Sequence, residues 1–332
     1  MLAANPGRQD TSTDARLPAT AWTEYTERGP SLLHVEAAGM CNMRCPICPR
    51  GTGQIDRSGL LAWRDFHALF SMLAPALTDV VFSGWGEPLM NPETPRFIEH
   101  ASREGLPVMM NTNGLLLCDR ADAIVDSGLA TINIALDGAV SRATHTYGKG
   151  SPFGRVIEGV KRLRNAKARQ RASFPIIHGQ FLVDEETVDE IYALTQWAWD
   201  IGVEHVKFKR RHNIMPGQHP RDEQRPPAEL RKLYEHELVE STEDADFSHR
   251  VCIHPWETIF LACTGELGVC SWDPFQKINL GPVPDNFEAV WNGAKIRTVR
   301  RWHTGDLAPA GDPCRTCNRL PGYLRIEDAR GE

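Results

Sequence analysis

The sequence lacks any long run of apolar residues. No stretch of the 332 residues approaches the ~20 consecutive apolar side chains that a membrane-spanning helix needs, and no apolar signal segment opens the chain. It also lacks a basic surplus, since the formal net charge is -6 with charges mixed along the chain. This balance argues against a nucleic-acid surface or a cationic membrane helix. We therefore expect a cytoplasmic protein that contacts neither membrane nor nucleic acid and acts on a small molecule or a peptide.

Cysteine is the residue type that the sequence uses most distinctively. Its nine cysteines occur mostly in closely spaced sets, which fits metal ligation in a reducing compartment better than disulfides. The first set is Cys41, Cys45 and Cys48, spaced C-x-x-x-C-x-x-C, and we call it the cysteine triad. Three thiolates there can ligate an iron–sulfur cluster and leave one iron open. A zinc site completed by a distant Cys or His is the alternative.

The middle of the chain alternates strand-like and helix-like segments. This pattern is typical of β-α units in a parallel sheet, and between residues 31 and 212 it predicts a partial (β/α)6 TIM-like barrel of the α/β class, with its chemistry at the carboxyl ends of the strands. The predicted strands are Leu32–Ala38, Asp79–Ser83, Pro107–Thr112, Thr131–Leu136, Ile176–Val183 and His205–Lys209. The predicted helices are Trp63–Leu73, Thr94–Glu104, Arg120–Ser127, Gly154–Ala168 and Glu186–Ile201.

Less regular segments flank the predicted barrel. Residues 1–30 lack apolar periodicity and are expected to form a mobile leader. Residues 213–250 are expected to form a linker with a bridging helix, at Ala228–Glu240, and residues 321–332 a tail.

Residues 251–320 are expected to form a small C-terminal module. In it, Thr258–Ala262 and Leu267–Cys270 flank the turn Thr264-Gly265-Glu266, which predicts a hairpin. A single amphipathic helix is predicted at Phe287–Trp302.

A glycine-rich turn follows the second predicted strand. In the sequence Ser-Gly-Trp-Gly-Glu-Pro, Gly84 and Gly86 allow a ligand to approach the backbone, and Pro88 fixes the turn after Glu87. This turn and the cysteine triad together resemble the motifs of the radical S-adenosylmethionine (SAM) superfamily. The triad departs in having Ile47 where an aromatic residue often stands.

The resemblance implies specific contacts to SAM. In the superfamily the open iron chelates the amino and carboxylate groups of SAM, and the positions matching Gly84, Gly86 and Glu87 hold the amino group. Asn113, at the end of the third strand, is implied as a further polar contact. Lys149 stands where relatives often carry an Arg that faces the SAM carboxylate, and a solvated surface lysine is the alternative reading.

A second set of cysteines lies near the C-terminus. Cys252, Cys270, Cys314 and Cys317 supply four thiolates, enough to close a cluster with no open iron. Zinc fits such a site on spacing alone. The pattern resembles the twitch domain, a short relative of the SPASM domain, and so implies one auxiliary [4Fe-4S] cluster.

Further residues are candidates for proton or hydrogen transfer. Cys263 belongs to neither set, and it either packs in the hairpin or donates a hydrogen atom to a substrate radical. A basic group ends the sixth strand and forms either a solvated turn or a substrate-recognition face that takes up a hydroxyl proton. Its candidates are Lys207, Lys209, Arg210 and His212.

The resemblance covers residues 31–320 and implies a radical SAM enzyme. Such an enzyme splits SAM to methionine and a 5'-deoxyadenosyl radical that abstracts hydrogen from substrate carbon, with a flavodoxin or ferredoxin as electron donor. We expect a carbohydrate, aminocyclitol or nucleoside-type intermediate of natural product biosynthesis as substrate, and oxidation through the auxiliary cluster. A radical epimerase or decarboxylase, a peptide-modifying enzyme and a zinc-binding module without enzymatic activity are the alternatives.

Overall fold

The described part of the chain is built on one continuous sheet. The computed structural model describes residues 23–140, 152–183, 188–210, 252–304 and 313–314. The strands are β1 (Leu32–Val35), β2 (Asp79–Phe82), β3 (Val108–Thr112), β4 (Thr131–Ala135), β5 (Ile176–Val183), β6 (His205–Arg210), β7 (Thr258–Leu261), β8 (Glu266–Gly268) and β9 (Asn279–Pro282). They are hydrogen-bonded in the order β6-β5-β4-β3-β2-β1-β7-β8-β9.

The first six strands are parallel and adjacent in chain order. Five helices connect them: α1 (Trp63–Leu73), α2 (Thr94–Arg103), α3 (Leu117–Asp126), α4 (Phe153–Gln170) and α5 (Ile191–Ile201). Because parallel crossovers are right-handed and the order never reverses, all five helices cover the same face of the sheet. This confirms the predicted α/β partial barrel. No helix among the described residues is long and apolar enough to cross a membrane.

The predicted element boundaries agree closely with the structure, apart from a few ends. Strand β1 stops at Val35 rather than Ala38, and α3 begins at Leu117 rather than Arg120. Leu117 is fully buried, and its packing in the core stabilises an additional helical turn at the start of α3. Helix α5 begins at Ile191 rather than Glu186, because residues 188–190 form a 3-10 turn. The bridging helix predicted at Ala228–Glu240 lies outside the described residues.

The C-terminal hairpin extends the barrel sheet. Strand β7 pairs in parallel with β1, with Leu32 opposite Thr258, and β8 and β9 follow antiparallel. The predicted hairpin is therefore present, and within the described residues it continues the barrel sheet.

The helix predicted at Phe287–Trp302 is two helices. After the short α6 (His254–Glu257), α7 (Phe287–Trp291) and α8 (Ala294–Thr304) are separated by Asn292 and Gly293. The Asn292 side chain accepts from Thr26 N (3.1 Å) and donates to Thr26 O (2.8 Å). The break thus serves to hold the segment that precedes β1.

Residues 23–30 are docked on these helices, so the expected mobile leader does not extend to residue 30. Trp256 Nε1 donates to Thr23 O and Trp291 Nε1 to Arg28 O, each at 2.7 Å. The buried Arg300 donates to Glu24 O at 3.0 Å. Buried indole and guanidinium donors need acceptors, and the backbone of this segment supplies them.

Candidate active site

The cysteine triad lies in the loop that follows β1. Its three thiols are half-buried and none forms a disulfide. Cys41 Sγ accepts from Met43 N at 3.4 Å, and Cys48 N donates to Cys45 O at 3.1 Å. Burial raises the pKa of Cys45 to about 12, with smaller contributions from the neighbouring Cys48 and Cys41. Cluster binding would take these thiols as thiolates, which the positive charge of a metal centre stabilises.

The three thiols of the triad suit an iron–sulfur cluster with one open iron. Among the described residues, no three His, Cys, Asp or Glu side chains are arranged to hold one metal ion. A [4Fe-4S] cluster takes one thiolate per iron, so its ligands need not converge on a single ion.

The glycine-rich turn after β2 presses against the triad loop. A Cβ atom on Gly86 would lie 2.0 Å from Ala38 O and 2.6 Å from Met40 O. The next residue, Glu87, donates its N–H to Met40 O at 2.8 Å. Gly84 also has little space, since an added Cβ would lie 2.6 Å from Cγ of Glu36. The backbone contact at Gly86 requires glycine, and it brings the turn at residues 83–88, which we call the SAM turn after its predicted role, to the triad loop.

Glu87 ties the turn to the end of β3. Its buried carboxylate accepts from Thr112 Oγ1 (2.7 Å), Asn113 N (2.7 Å) and Leu89 N (3.1 Å). Burial raises the pKa of Glu87 even though these three hydrogen bonds oppose the shift. Glu87 thereby orients the strand end that carries Asn113.

Asn113 reaches from β3 to the triad loop. Its Nδ2 donates to Asn42 Oδ1 at 2.8 Å and lies 3.6 Å from Cys41 Sγ. Its Oδ1 accepts from Leu115 N at 3.0 Å. The structure therefore brings Gly84, Gly86, Glu87 and Asn113 together with the triad.

A buried ion pair that the sequence analysis missed lies beneath this loop. Glu36 and Arg57 form two hydrogen bonds of 2.9 Å, with side chains only 1% and 11% exposed. Glu36 Oε1 also accepts from Trp85 N at 3.0 Å. Arg57 Nη1 donates to Pro274 O at 3.1 Å. This Glu36–Arg57 pair therefore joins the SAM turn to the loop after β8.

Cys263 packs against the same ion pair. The thiol is 3% exposed, and a Cβ atom on Gly39 would lie 2.5 Å from its Sγ. Burial raises its pKa to about 12, with the carboxylate of Glu36 as the next cause. The thiol is thus held in its protonated form behind the triad loop.

The loop after β8 carries Cys270 and contacts the SAM turn directly. Trp85 Nε1 donates to Ser271 O at 2.8 Å, and the rings of Trp85 and Trp272 meet edge to face at 6.1 Å. Cys270 Sγ accepts from Trp272 N at 3.3 Å. Cys252, Cys270 and Cys314 are half-buried and outside disulfides, whereas Cys317 lies outside the described residues.

The basic residues of β6 are only partly described. Lys207 and Lys209 lie opposite Gln180 and Leu182 of β5, and Arg210 is the last residue of β6. The side chain of Arg210, together with all of Lys149 and His212, lies outside the described residues.

Comparison with known proteins agrees with this geometry. The family model of the radical SAM superfamily matches residues 35–198, and that of an iron–sulfur cluster-binding domain, SPASM, matches residues 252–318. The first implies a [4Fe-4S] cluster with SAM, and the second implies an auxiliary iron–sulfur cluster.

Curated relatives match in part of their length. A GTP 3',8-cyclase from Clostridium acetobutylicum is 30% identical over 139 residues, covering 40% of this chain and 43% of that protein. An AdoMet-dependent heme synthase from Methanosarcina barkeri is 26% identical over 184 residues, covering 54% of this chain and 50% of that protein. The chain thus spans about half the length, or less, of these relatives.

Solved structures match over most of the described fold. BtrN in complex with AdoMet and 2-DOIA has a TM-score of 0.54 at 14% identity, covering 90% of this chain and 97% of that one. Native anSMEcpe with bound AdoMet has a TM-score of 0.62 at 12% identity, covering 91% and 95%. At these identities the likeness concerns the fold alone. The two family models, together with the cysteine triad, show that the chain belongs to the radical SAM superfamily, as an enzyme with a C-terminal SPASM-type auxiliary cluster domain.

Proposed function

We propose that this enzyme oxidises a hydroxylated small molecule, and that the auxiliary cluster accepts the second electron. Oxidation of a secondary alcohol to a ketone removes one hydrogen atom, one proton and one electron. When bound, the SAM-binding cluster and SAM supply the radical that takes the hydrogen atom, and the auxiliary cluster supplies an electron acceptor. The chain must orient the substrate, take the proton and hold the acceptor nearby.

The contact between the Cys270 loop and the SAM turn carries this proposal. Trp85, within that turn, donates to Ser271 O at 2.8 Å, one residue from Cys270. Arg57 holds the same loop through Pro274 O at 3.1 Å. A cluster ligated by Cys270 would lie next to this turn, and this proximity supports the proposal that it takes up the electron.

The described basic residues offer a site for the hydroxyl proton. Lys209 lies on β6 opposite Leu182, on the same strand face as Lys207. A lysine acts as a base when its site favours the neutral amine, and Lys209 is the described candidate for this role. Arg210 and His212 stay candidates whose side chains the structure does not describe.

The position of Cys263 favours oxidation over epimerisation. A hydrogen donor for an epimerase must reach the substrate radical, whereas this thiol is 3% exposed and packs behind Gly39. We therefore assign Cys263 a packing role. Two alternatives remain, a decarboxylation and a peptide substrate. A peptide is bound in the structure of Streptococcus suis SuiB. Identification of the reaction product distinguishes both alternatives from oxidation of a hydroxylated small molecule.

We also propose a cytoplasmic location and a flavodoxin- or ferredoxin-type electron donor. Oxygen-sensitive clusters and cysteines outside disulfides suit a reducing compartment.

The test is turnover in deuterated water. Oxidation predicts one SAM consumed per ketone and no solvent deuterium at the reacting carbon, and Cys270→Ala should still form 5'-deoxyadenosine while losing the ketone. Cys118→Ala, outside both ligand sets, is the matched control and should behave as wild type. Solvent deuterium at the carbon that lost hydrogen would instead establish epimerisation.

A further inference from the structure

The face of the sheet turned away from the helices carries a polar layer, and we call this face the lumen. Successive strand residues point to opposite faces. Ile132, Ile134, Ile177 and Phe181 belong to the core beneath the helices, so the residues between them face the lumen. Four such residues lie opposite one another on β3 to β6 and form the floor: Asn111, Asn133, His178 and His205.

Two atoms of this floor are buried, and the described part of the chain offers them no hydrogen-bond partner. Asn133 is 8% exposed, and its Nδ2 donates to Asn111 Oδ1 at 2.8 Å. Its Oδ1, and Nδ1 of the neighbouring His178, have no hydrogen-bond partner among the described residues. Buried polar atoms are nearly always satisfied, so these two point to a ligand with hydroxyl groups.

The imidazole of His178 is uncharged near neutral pH. His178 and His205 meet at a ring distance of 5.0 Å. Burial lowers the pKa of His178 to about 4, with smaller contributions from Lys207 and His205. Neutral imidazole and amide groups suit uncharged hydroxyls.

A positive charge lies one layer above the floor. Lys207 is opposite Gln180, which is opposite Ala135. Lys207 is half-buried and makes no ion pair with any residue that the structure describes.

We propose that Asn133, His178 and Lys207 form a substrate site for a polyhydroxylated ring bearing a carboxylate or phosphate group. The hydroxyls bind the floor and the acidic group binds Lys207. A cationic amine is disfavoured, because Lys207 repels it and the four floor residues include no acidic side chain to pair with it. This inference rests on the proposed function and narrows its substrate to acidic or phosphorylated carbohydrates and nucleotides, in preference to aminocyclitols.

The test is equilibrium binding to the reconstituted, SAM-bound and unreduced protein, so that no turnover is needed. The probes are glucuronate, glucose 6-phosphate, glucose and glucosamine, measured by calorimetry. The two acidic probes should bind about tenfold more tightly than glucosamine, as one charge-assisted hydrogen bond provides. Lys207→Met should remove this preference, whereas Lys161→Met, which removes an exposed charge on α4, should retain it.

A second pair of variants tests the floor. His178→Phe should lower the affinity of every bound probe by a similar factor and keep the preference for acidic probes. His178→Gln, which keeps polar atoms, should retain part of the affinity that His178→Phe loses. Circular dichroism and iron content show whether each variant folds. Equal affinity for acidic and amino probes, an unchanged preference in Lys207→Met, or no binding of any probe would overturn the site. None of these outcomes bears on the SAM-per-ketone ratio, which tests the proposed function separately.

Discussion

The Glu36–Arg57 pair makes the sharpest prediction about stability. Arg57→Met leaves a carboxylate that is 1% exposed without its cation, and removing one partner of a buried pair costs ~3–5 kcal/mol. Arg57→Lys should cost less, because the charge stays while the second hydrogen bond to Glu36 is lost. Anaerobic urea unfolding of the reconstituted protein, followed by tryptophan fluorescence, measures both variants.

The double variant Glu36→Gln/Arg57→Met separates the ion pair from general packing. With both charges removed, the free energy of unfolding should recover part of the loss. Arg103→Met breaks an exposed pair with Glu99 and should cost only ~0.3–0.5 kcal/mol. An Arg57→Met protein within about 0.5 kcal/mol of wild type, no more than that exposed-pair value, would refute the buried-pair argument.

The pair also predicts a functional effect distinct from stability. Arg57 holds the Cys270 loop through Pro274 O, so folded Arg57→Lys should form 5'-deoxyadenosine with less ketone per SAM than wild type. An unchanged ratio would mean that this contact does not position the acceptor.

Three further predictions concern cofactors, the SAM turn and pH. Reconstituted protein should hold about eight iron atoms, and changing the cysteine triad to Ala should halve that number and abolish SAM cleavage; unchanged iron would contradict the assignment. Gly86→Ala should abolish SAM binding by equilibrium dialysis, since its Cβ would lie 2.0 Å from Ala38 O, and wild-type affinity would count against the close approach. Burial lowers the pKa of His34 and His303 from 6.5 to about 4, so the unfolded chain takes up protons first and the free energy of unfolding should fall as pH drops from 6.5 toward 4. His303→Gln should flatten that fall relative to wild type, and identical pH profiles would exclude its contribution.

Local sequence patterns predict most of the barrel. Strands β2 to β6 and α1 follow from apolar runs and helical periodicity, which are short-range properties. The cysteine triad and the glycine turn were identifiable because their spacing reflects one loop each. The pairing of β7 with β1 was not identifiable from the sequence, because two parallel strands more than two hundred residues apart leave no local sequence signal.

The missed residues left weaker signals. Glu36 interrupts an apolar run, and a buried carboxylate needs a partner, but the sequence does not say that Arg57 is that partner. Asn133 and His178 each lie between apolar residues of their strands. Because successive strand residues point to opposite faces, both belong to the face that the helices do not cover. Only the register of β4 and β5 brings them together.

The central claim is that the auxiliary cluster takes the electron left on the substrate. Freeze-quenched single turnover, with electron paramagnetic resonance of the auxiliary cluster, measures this directly. The account predicts one electron on the auxiliary cluster for each 5'-deoxyadenosine formed with substrate. Product that accumulates while the auxiliary cluster stays oxidised would contradict it.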